Sequence, residues 1–314
     1  MLAKAETPRN LRILTRDYIV SHGDFFYAFL KYFPIFLVNL AMLNPLTRTF
    51  LDKVGIARRA PLPDFCSKPF ISCLKAIKQP KTDEKVIFYP GCYTNMYDPE
   101  AGLALVKILN RLNVEVIVPE GFVCCGVPLI SSGFYEATKK NAEKNMNILA
   151  KYKGFPVLTV CPSCTLMLKH DYQYLFPSIP SNGLQITDPS EFILEHPNLK
   201  ELKFGGEYRT LSYHLPCHQK ALGIGKPAIE LINLIPDSRV YDMDAGCCGI
   251  SGSYGFKKEK YRISLSVGKN LFDTLKARET EIAVTECGTC KIQIAANTDI
   301  KTVHPLTLLS EKLL

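Results

Sequence analysis

No low-complexity tract, no fixed glycine or proline period and no large excess of one charge marks this 314-residue sequence. With 47% hydrophobic residues and a formal net charge of +8, the chain can bury a sizeable core, which excludes intrinsic disorder. Its 19 glycines and 21 prolines follow no repeat, which excludes a collagen-like fibre. Basic residues form only short runs, such as Lys139-Lys140 and Lys257-Lys258. Without an aromatic-interleaved basic stripe, nucleic acid is not an expected partner. The first 24 residues hold no apolar h-region and no small-residue cleavage site, so a reducing, cytoplasmic setting is expected. Tryptophan is absent, yet cysteine occurs 12 times. In a reducing compartment these cysteines read as metal ligands or redox groups rather than disulfides.

Residues 1–84 read as a mainly helical, apolar N-terminal segment and linker. The stretch from Phe25 to Leu43 is almost continuously apolar and aromatic, but Lys31, Pro34 and Asn39 interrupt it. A spanning helix is therefore the least favoured of three readings for residues 25–43. The other two are a segment lying at the membrane surface, with Phe and Tyr at headgroup depth, and a core or subunit-docking helix. Pro61, Pro63, Pro69 and Pro80 mark the stretch that follows as a linker.

From residue 85 the pattern becomes short β runs alternating with helical stretches, which predicts βαβ units and a parallel sheet. Val86–Tyr89 leads to Cys92, Val114–Val118 leads to Cys124-Cys125-Gly126, and Pro156–Val160 leads to Cys161 and Cys164. The same order then recurs. Leu211–His214 leads to Cys217, Val240–Met243 leads to Cys247-Cys248-Gly249, and Glu281–Thr285 leads to Cys287 and Cys290. Helical stretches separate the runs, over about Pro99–Leu112, Phe134–Lys151, Pro227–Ile235 and Lys258–Ala277. The expected fold is α/β, with two tandem cysteine-rich repeats at 85–205 and 206–314.

Each repeat carries one cysteine, then Cys-Cys-Gly, then Cys-x-x-Cys, so ten of the 12 cysteines fall into two matched sets of five. Every cysteine element follows a predicted strand. All therefore lie at carboxyl ends of a parallel sheet, the edge where open α/β sheets build their sites. The Cys-x-x-Cys pairs sit where helices should begin, and there the helix dipole favours thiolate. Gly126 and Gly249 free the backbone beside the vicinal pairs, which can face one site only if the chain turns there. Zinc takes four ligands, and so do ordinary iron–sulfur cubes. A fifth cysteine per set leaves open a spare redox thiol or an unusual cluster with an extra iron–thiolate bond, and zinc in one or both sites remains an alternative.

These residues resemble the cysteine-rich "CCG-domain" iron–sulfur proteins. That family includes the B subunit of heterodisulfide reductase and the C subunit of anaerobic glycerol-3-phosphate dehydrogenase. The shared character lies in Phe88–Cys92, Cys124–Ile130 and Cys247–Glu259. The resemblance implies a pair of non-cubane four-iron, four-sulfur (4Fe–4S) clusters. One would be held by Cys92, Cys124, Cys125, Cys161 and Cys164, the other by Cys217, Cys247, Cys248, Cys287 and Cys290. The glycerol-phosphate subunits normally begin with a ferredoxin-like module, which is not found here, and Cys66 and Cys73 do not supply it. The expectation is that a separate ferredoxin-like iron–sulfur subunit provides that relay, or that the chain is differently wired.

By this resemblance the chain is expected to be an iron–sulfur electron-transfer subunit of a membrane-associated dehydrogenase complex. A flavoprotein dehydrogenase subunit and quinone would be its partners, on the cytoplasmic face of the membrane. One alternative is a heterodisulfide reductase-type catalytic subunit; another is a zinc-stabilised anchoring module without redox turnover. His218, directly after Cys217, is read either as hydrogen-bonding a cluster sulfur or as simply packed, with Tyr93 at the matching position. The basic and aromatic stretch Ser253–Leu265 is read as a contact with another subunit or a solvated helix face.

Overall fold

A computed structural model describes residues 9–180, 183–206 and 210–314; residues 1–8 of the N-terminal segment lie outside it. The first repeat forms strands β1 (Lys85–Phe88), β2 (Glu115–Ile117), β3 (Val157–Leu158) and β4 (Ile186–Thr187). The second forms β5 (Leu211–Tyr213), β6 (Val240–Asp242), β7 (Ile282–Val284) and β8 (Lys301–Val303). Both sheets are parallel, in the orders β2-β1-β3-β4 and β6-β5-β7-β8, so the duplication seen in the cysteines is also a duplication of topology. β4 and β8 add to the predicted strands, and each closes its sheet beside the strand that carries Cys-x-x-Cys.

Strand side chains alternate between two cores, as a period of two requires. Val86 and Phe88 of β1, and Leu211 and Tyr213 of β5, enter one apolar cluster that spans both repeats. Ile87 and Tyr89 enter a second cluster on the outer face of the first sheet, and Ala283 a third on the outer face of the second. Burial on both faces explains why inner strands such as β1, β3 and β7 read as nearly continuous apolar runs. The central layer is made of helices, among them Pro99–Arg111 and Pro305–Lys312, which pack on one another. The first shows how sequence sets this. Proline opens it, Glu100 lies in its first turn and Arg111 in its last, and Leu105, Ile108 and Leu109 make its buried stripe.

The N-terminal region is helical over Leu11–Ser21, Gly23–Leu30, Ile35–Leu43 and Pro45–Val54. The apolar stretch 25–43 is broken at Pro34, and among the described residues no helix is long and apolar enough to cross a membrane. Much of it is unburied, including Phe29 (64% exposed), Phe36 (70%) and Leu40 (63%). The proline-rich stretch that follows is anchored rather than free. Ile56 pairs with Lys257, and Phe70 is fully buried against the first repeat. Burying one such ring contributes about 2 kcal/mol.

Part of the Ser253–Leu265 stretch is held within the chain. Lys257 is buried and pairs with Asp17, which also meets Arg16 and Arg9, while Glu259 pairs with Arg16. Burial alone would raise the Asp17 carboxyl, but the hydrogen bonds and charges of Lys257 and Arg16 outweigh it and leave it below its ordinary value. Arg9 also donates to the carbonyl of Ser132 at 2.6 Å, so the first helix is pinned to both repeats.

Candidate metal centres

In each sheet the chain leaves three of the four strands through a turn or loop that delivers sulfur, β1, β2 and β3 in the first and β5, β6 and β7 in the second. Cys92 enters the short helix Gly91–Met96 after β1, and Cys217 opens the helix Cys217–Leu222 after β5. Cys161 and Cys287 are the residues that cap the helices Pro162–Leu166 and Gly288–Thr298, with Cys164 and Cys290 one turn in. Each vicinal pair is followed by a glycine in the left-handed region, Gly126 at φ 90° and Gly249 at φ 83°. Their amide N–H groups point back at sulfur, Gly126 to Cys124 at 3.5 Å and Gly249 to Cys247 at 3.3 Å.

Within the first set, Cys92 and Cys124 sulfurs lie 3.4 Å apart, and Cys125 and Cys164 sulfurs 3.3 Å. Within the second, Cys248 and Cys290 sulfurs lie 3.1 Å apart. All twelve cysteines are free thiols. Cys66 and Cys73 stand outside both sets, Cys66 resting on the carbonyl of Asn95. The first set is buried or half-buried, whereas Cys217 of the second is exposed.

Hydrogen bonding divides the thiols in the same order in both repeats. The first member of each vicinal pair accepts from its neighbours and is held low, Cys124 by Cys125 and Cys92, and Cys247, at about 2, by Cys217 and Cys248. The first member of each Cys-x-x-Cys is likewise lowered by its partner, Cys161 by Cys164 and Cys287, to about 6, by Cys290. The other six are pushed up, because they donate to these sulfurs or are buried among them. Two sulfurs per set pushed toward the thiolate form, with three more in reach, make a soft donor set. It fits iron–sulfur clusters or zinc and not a hard cation such as magnesium. The close approach of Gly91 supports the fit: a Cβ there would stand 2.9 Å from the Cys164 sulfur.

The glycine turns are demanded by packing as well as by dihedral angle. A side chain at Gly249 would overlap the carbonyl oxygen of Ser264, and one at Gly268 would lie 2.5 Å from the carbonyl oxygen of Cys248. The vicinal pair of the second repeat is thus seated directly on the helix Tyr261–Ala277. In the first repeat, side-chain amides of the helix Tyr135–Leu149 hold the turn. Asn141 donates to the carbonyl of Cys124 at 3.0 Å, and Asn145 accepts from the amide of Val123 at 3.0 Å. Sequence reasoning missed these two asparagines; their signal is a polar i, i+4 pair on a face that is otherwise buried.

The two sites are also tied to each other. Tyr93 donates to the carbonyl of Gly288 at 3.0 Å, and the Nδ1 of His218 lies 2.6 Å from the Ser163 hydroxyl. The residue after the first cysteine of each repeat therefore grips the Cys-x-x-Cys of the other. His218 thus meets a hydroxyl between Cys161 and Cys164 of the first repeat. A third tie joins His304 Nε2 to the carbonyl of Val160 at 3.0 Å, and burial holds that imidazole down at about 4. Deep in the second repeat, Tyr213 donates to Glu286 at 2.7 Å, and burial pushes the Glu286 carboxyl up to about 8. His214, buried near Cys248 and Cys290, is likewise held down at about 4 by burial.

Comparison with known proteins finds relatives for both repeats. The cysteine-rich domain family, CCG, matches residues 86–169 and 211–295. The C subunit of the anaerobic glycerol-3-phosphate dehydrogenase of Escherichia coli (strain K12) is 30% identical over 306 residues, covering 95% of this chain and 77% of that protein. The B subunit of the fumarate reductase (CoM/CoB) of Methanothermobacter marburgensis is 30% identical over 236 residues, covering 72% of this chain and 46% of that one. An iron–sulfur protein of Methanocaldococcus jannaschii is 28% identical over 211 residues, covering 67% of this chain and 41% of its own length. With both repeats matched, and with 95% of this chain aligned to a dehydrogenase subunit, the chain belongs to the cysteine-rich CCG domain family of iron–sulfur proteins.

Proposed function

We propose that the chain is an electron-transfer subunit of a membrane-associated dehydrogenase complex, passing electrons between a flavoprotein partner and the quinone pool. The observation that carries this reading is the repetition of five free thiols, in the same order, at one edge of each sheet. Cys92, Cys124, Cys125, Cys161 and Cys164 would hold one non-cubane 4Fe–4S cluster, and Cys217, Cys247, Cys248, Cys287 and Cys290 a second. When bound, such clusters supply one-electron storage at potentials set by their surroundings. Around them the chain buries or half-buries the first set, leaves Cys217 of the second exposed, and fixes the two sites to each other through Tyr93 and His218.

The division of labour follows the expected segments, with 85–205 and 206–314 each carrying one centre and 1–84 serving as the attachment region. The exposed aromatic face of residues 25–43 is the surface suited to lie on the cytoplasmic face of a membrane. A separate ferredoxin-like subunit would complete the relay to the flavoprotein. A second reading, catalytic reduction of a disulfide, is favoured by the exposure of Cys217 and by the likeness to a polypeptide of a fumarate reductase (CoM/CoB).

Anaerobic purification followed by iron and acid-labile sulfide assay tests the cluster assignment; about eight of each per chain are expected, two four-iron clusters' worth. Zinc without sulfide would sink both redox readings and leave the anchoring module. Reduction of a quinone analogue by the reconstituted complex, without disulfide turnover, supports the first reading over the second.

A further inference from the structure

The two repeats match at their sulfurs but not at the residue three positions before the first cysteine. In the first repeat it is Tyr89 and in the second His214. Both are buried at the end of the central strand, and the backbone of His214 is fixed there by its bond to the carbonyl of Val284 at 2.9 Å. Tyr89 is satisfied within the protein, since its hydroxyl donates to the carbonyl of Val123 at 2.5 Å. His214 is not. Among the described residues, neither ring nitrogen has a hydrogen-bond partner. One of them lies with the sulfurs of Cys248 and Cys290 in a group whose members are all within 4.8 Å of one another.

A buried polar group left without a partner is costly, because it has given up its bonds to water and gained none in return. Whatever its protonation state, an imidazole carries at least one N–H. Two sulfur acceptors, those of Cys248 and Cys290, lie beside that ring. We propose that His214 donates an N–H hydrogen bond to sulfur of the second centre, and so places that centre's reduction potential above that of the first. The sign follows from charge. Reduction makes the cluster sulfurs more negative, an N–H dipole stabilises the more negative state, and the potential rises. The first centre lacks this donor because Tyr89 is engaged elsewhere. The inference rests on the iron–sulfur reading above, and it makes His214 a residue that tunes the centre, not a ligand in place of a cysteine.

The test is an anaerobic redox titration of the full-length chain, followed by absorbance and electron paramagnetic resonance, on the wild type, His214→Leu and His214→Gln. Metal and sulfide content is measured first. Wild-type chain without iron and sulfide would remove the iron–sulfur reading and this one with it. With clusters loaded, two distinct potentials are expected. His214→Leu should lower the higher one, changing its reduced-to-oxidised ratio about tenfold at fixed potential, which is about 59 mV for a one-electron couple. The other potential should not move, and His214→Gln, which keeps an N–H, should recover most of the shift. Unmoved potentials in His214→Leu, or equal shifts in both, would overturn the inference and leave the cluster assignment standing. Should His214→Leu fail to load, pulsed resonance on wild-type chain labelled with 15N-histidine decides. A weak nitrogen coupling at the higher-potential centre supports the hydrogen bond; no coupling, or the strong coupling of a direct iron–nitrogen bond, overturns it.

Discussion

The phenol of Tyr93, one residue after the first cysteine of the first repeat, closes onto Gly288, which lies between the paired cysteines of the second. The fit is so close that a Cβ at position 288 would overlap the tyrosine ring. Gly288→Ala should therefore cost about 1–3 kcal/mol by overpacking. Tyr93→Leu should recover part of that loss in a double-mutant cycle read by thermal unfolding of the loaded protein. Strictly additive losses would mean that the two residues do not share a contact that matters.

The two glycines after the vicinal pairs should differ in tolerance. At Gly126 a new Cβ would stand 2.7 Å from a methyl of Thr138, a side chain able to give way, whereas at Gly249 it meets the Ser264 backbone. Gly249→Ala should reduce iron per chain by about half, the share of one four-iron cluster in two, while Gly126→Ala is milder. Equal iron content in both variants would contradict this ranking.

Asp17 is a buried carboxylate ringed by Arg9, Arg16 and Lys257. Asp17→Asn strips the negative partner from buried cations and should cost about 3–5 kcal/mol. The loss should appear in chemical denaturation and should be accompanied by earlier proteolysis of the N-terminal helices. A variant as stable as wild type would show that the cations find water instead.

Acid should loosen the contact between repeats. His304 titrates near 6.5 in the unfolded chain and near 4 when folded, because burial disfavours its charge. A lowered folded value means stability is fully present above pH 6.5 and falls as pH drops toward 4. The loss is on the order of 3 kcal/mol once both values are passed. His304→Gln should flatten that part of the profile, and an unchanged slope between pH 6.5 and 4 would assign it to other groups.

The exposed aromatic face gives a surface prediction. Phe29→Asp with Phe36→Asp should abolish sedimentation with anionic vesicles and leave thermal unfolding nearly unchanged, since both rings are more than half exposed. Retained sedimentation together with a large stability loss would instead make these rings part of an internal contact.

Much of this architecture was legible because its signals are local. The strands that carry cysteines are runs of apolar, largely β-branched residues, and the order Cys, Cys-Cys-Gly, Cys-x-x-Cys occurs twice in the same register with them. β4 and β8 escaped because two or three residues such as Ile186-Thr187 or Lys301–Val303 carry no period of their own; pairing with β3 and β7 makes them strands. The ties of Tyr93 to Gly288 and of His218 to Ser163 escaped for a related reason. They exist only once the two repeats are packed, and no spacing within either repeat encodes them. Of the two residues at the strand ends, His214 stands out in the sequence only for lying near Cys217, because its lack of a partner is a property of the folded core.

Reciprocal contacts of this kind, each half presenting the same positions to the other, are the hallmark of a two-fold dimer. In a dimer of identical chains the halves must carry identical residues, so two centres built there would have one potential between them. Joining the halves end to end keeps the two-fold contact and removes that constraint. Tyr89 and His214 occupy equivalent positions and differ, which is what a one-chain dimer permits: an electron meeting two unlike sites has a direction in which to move.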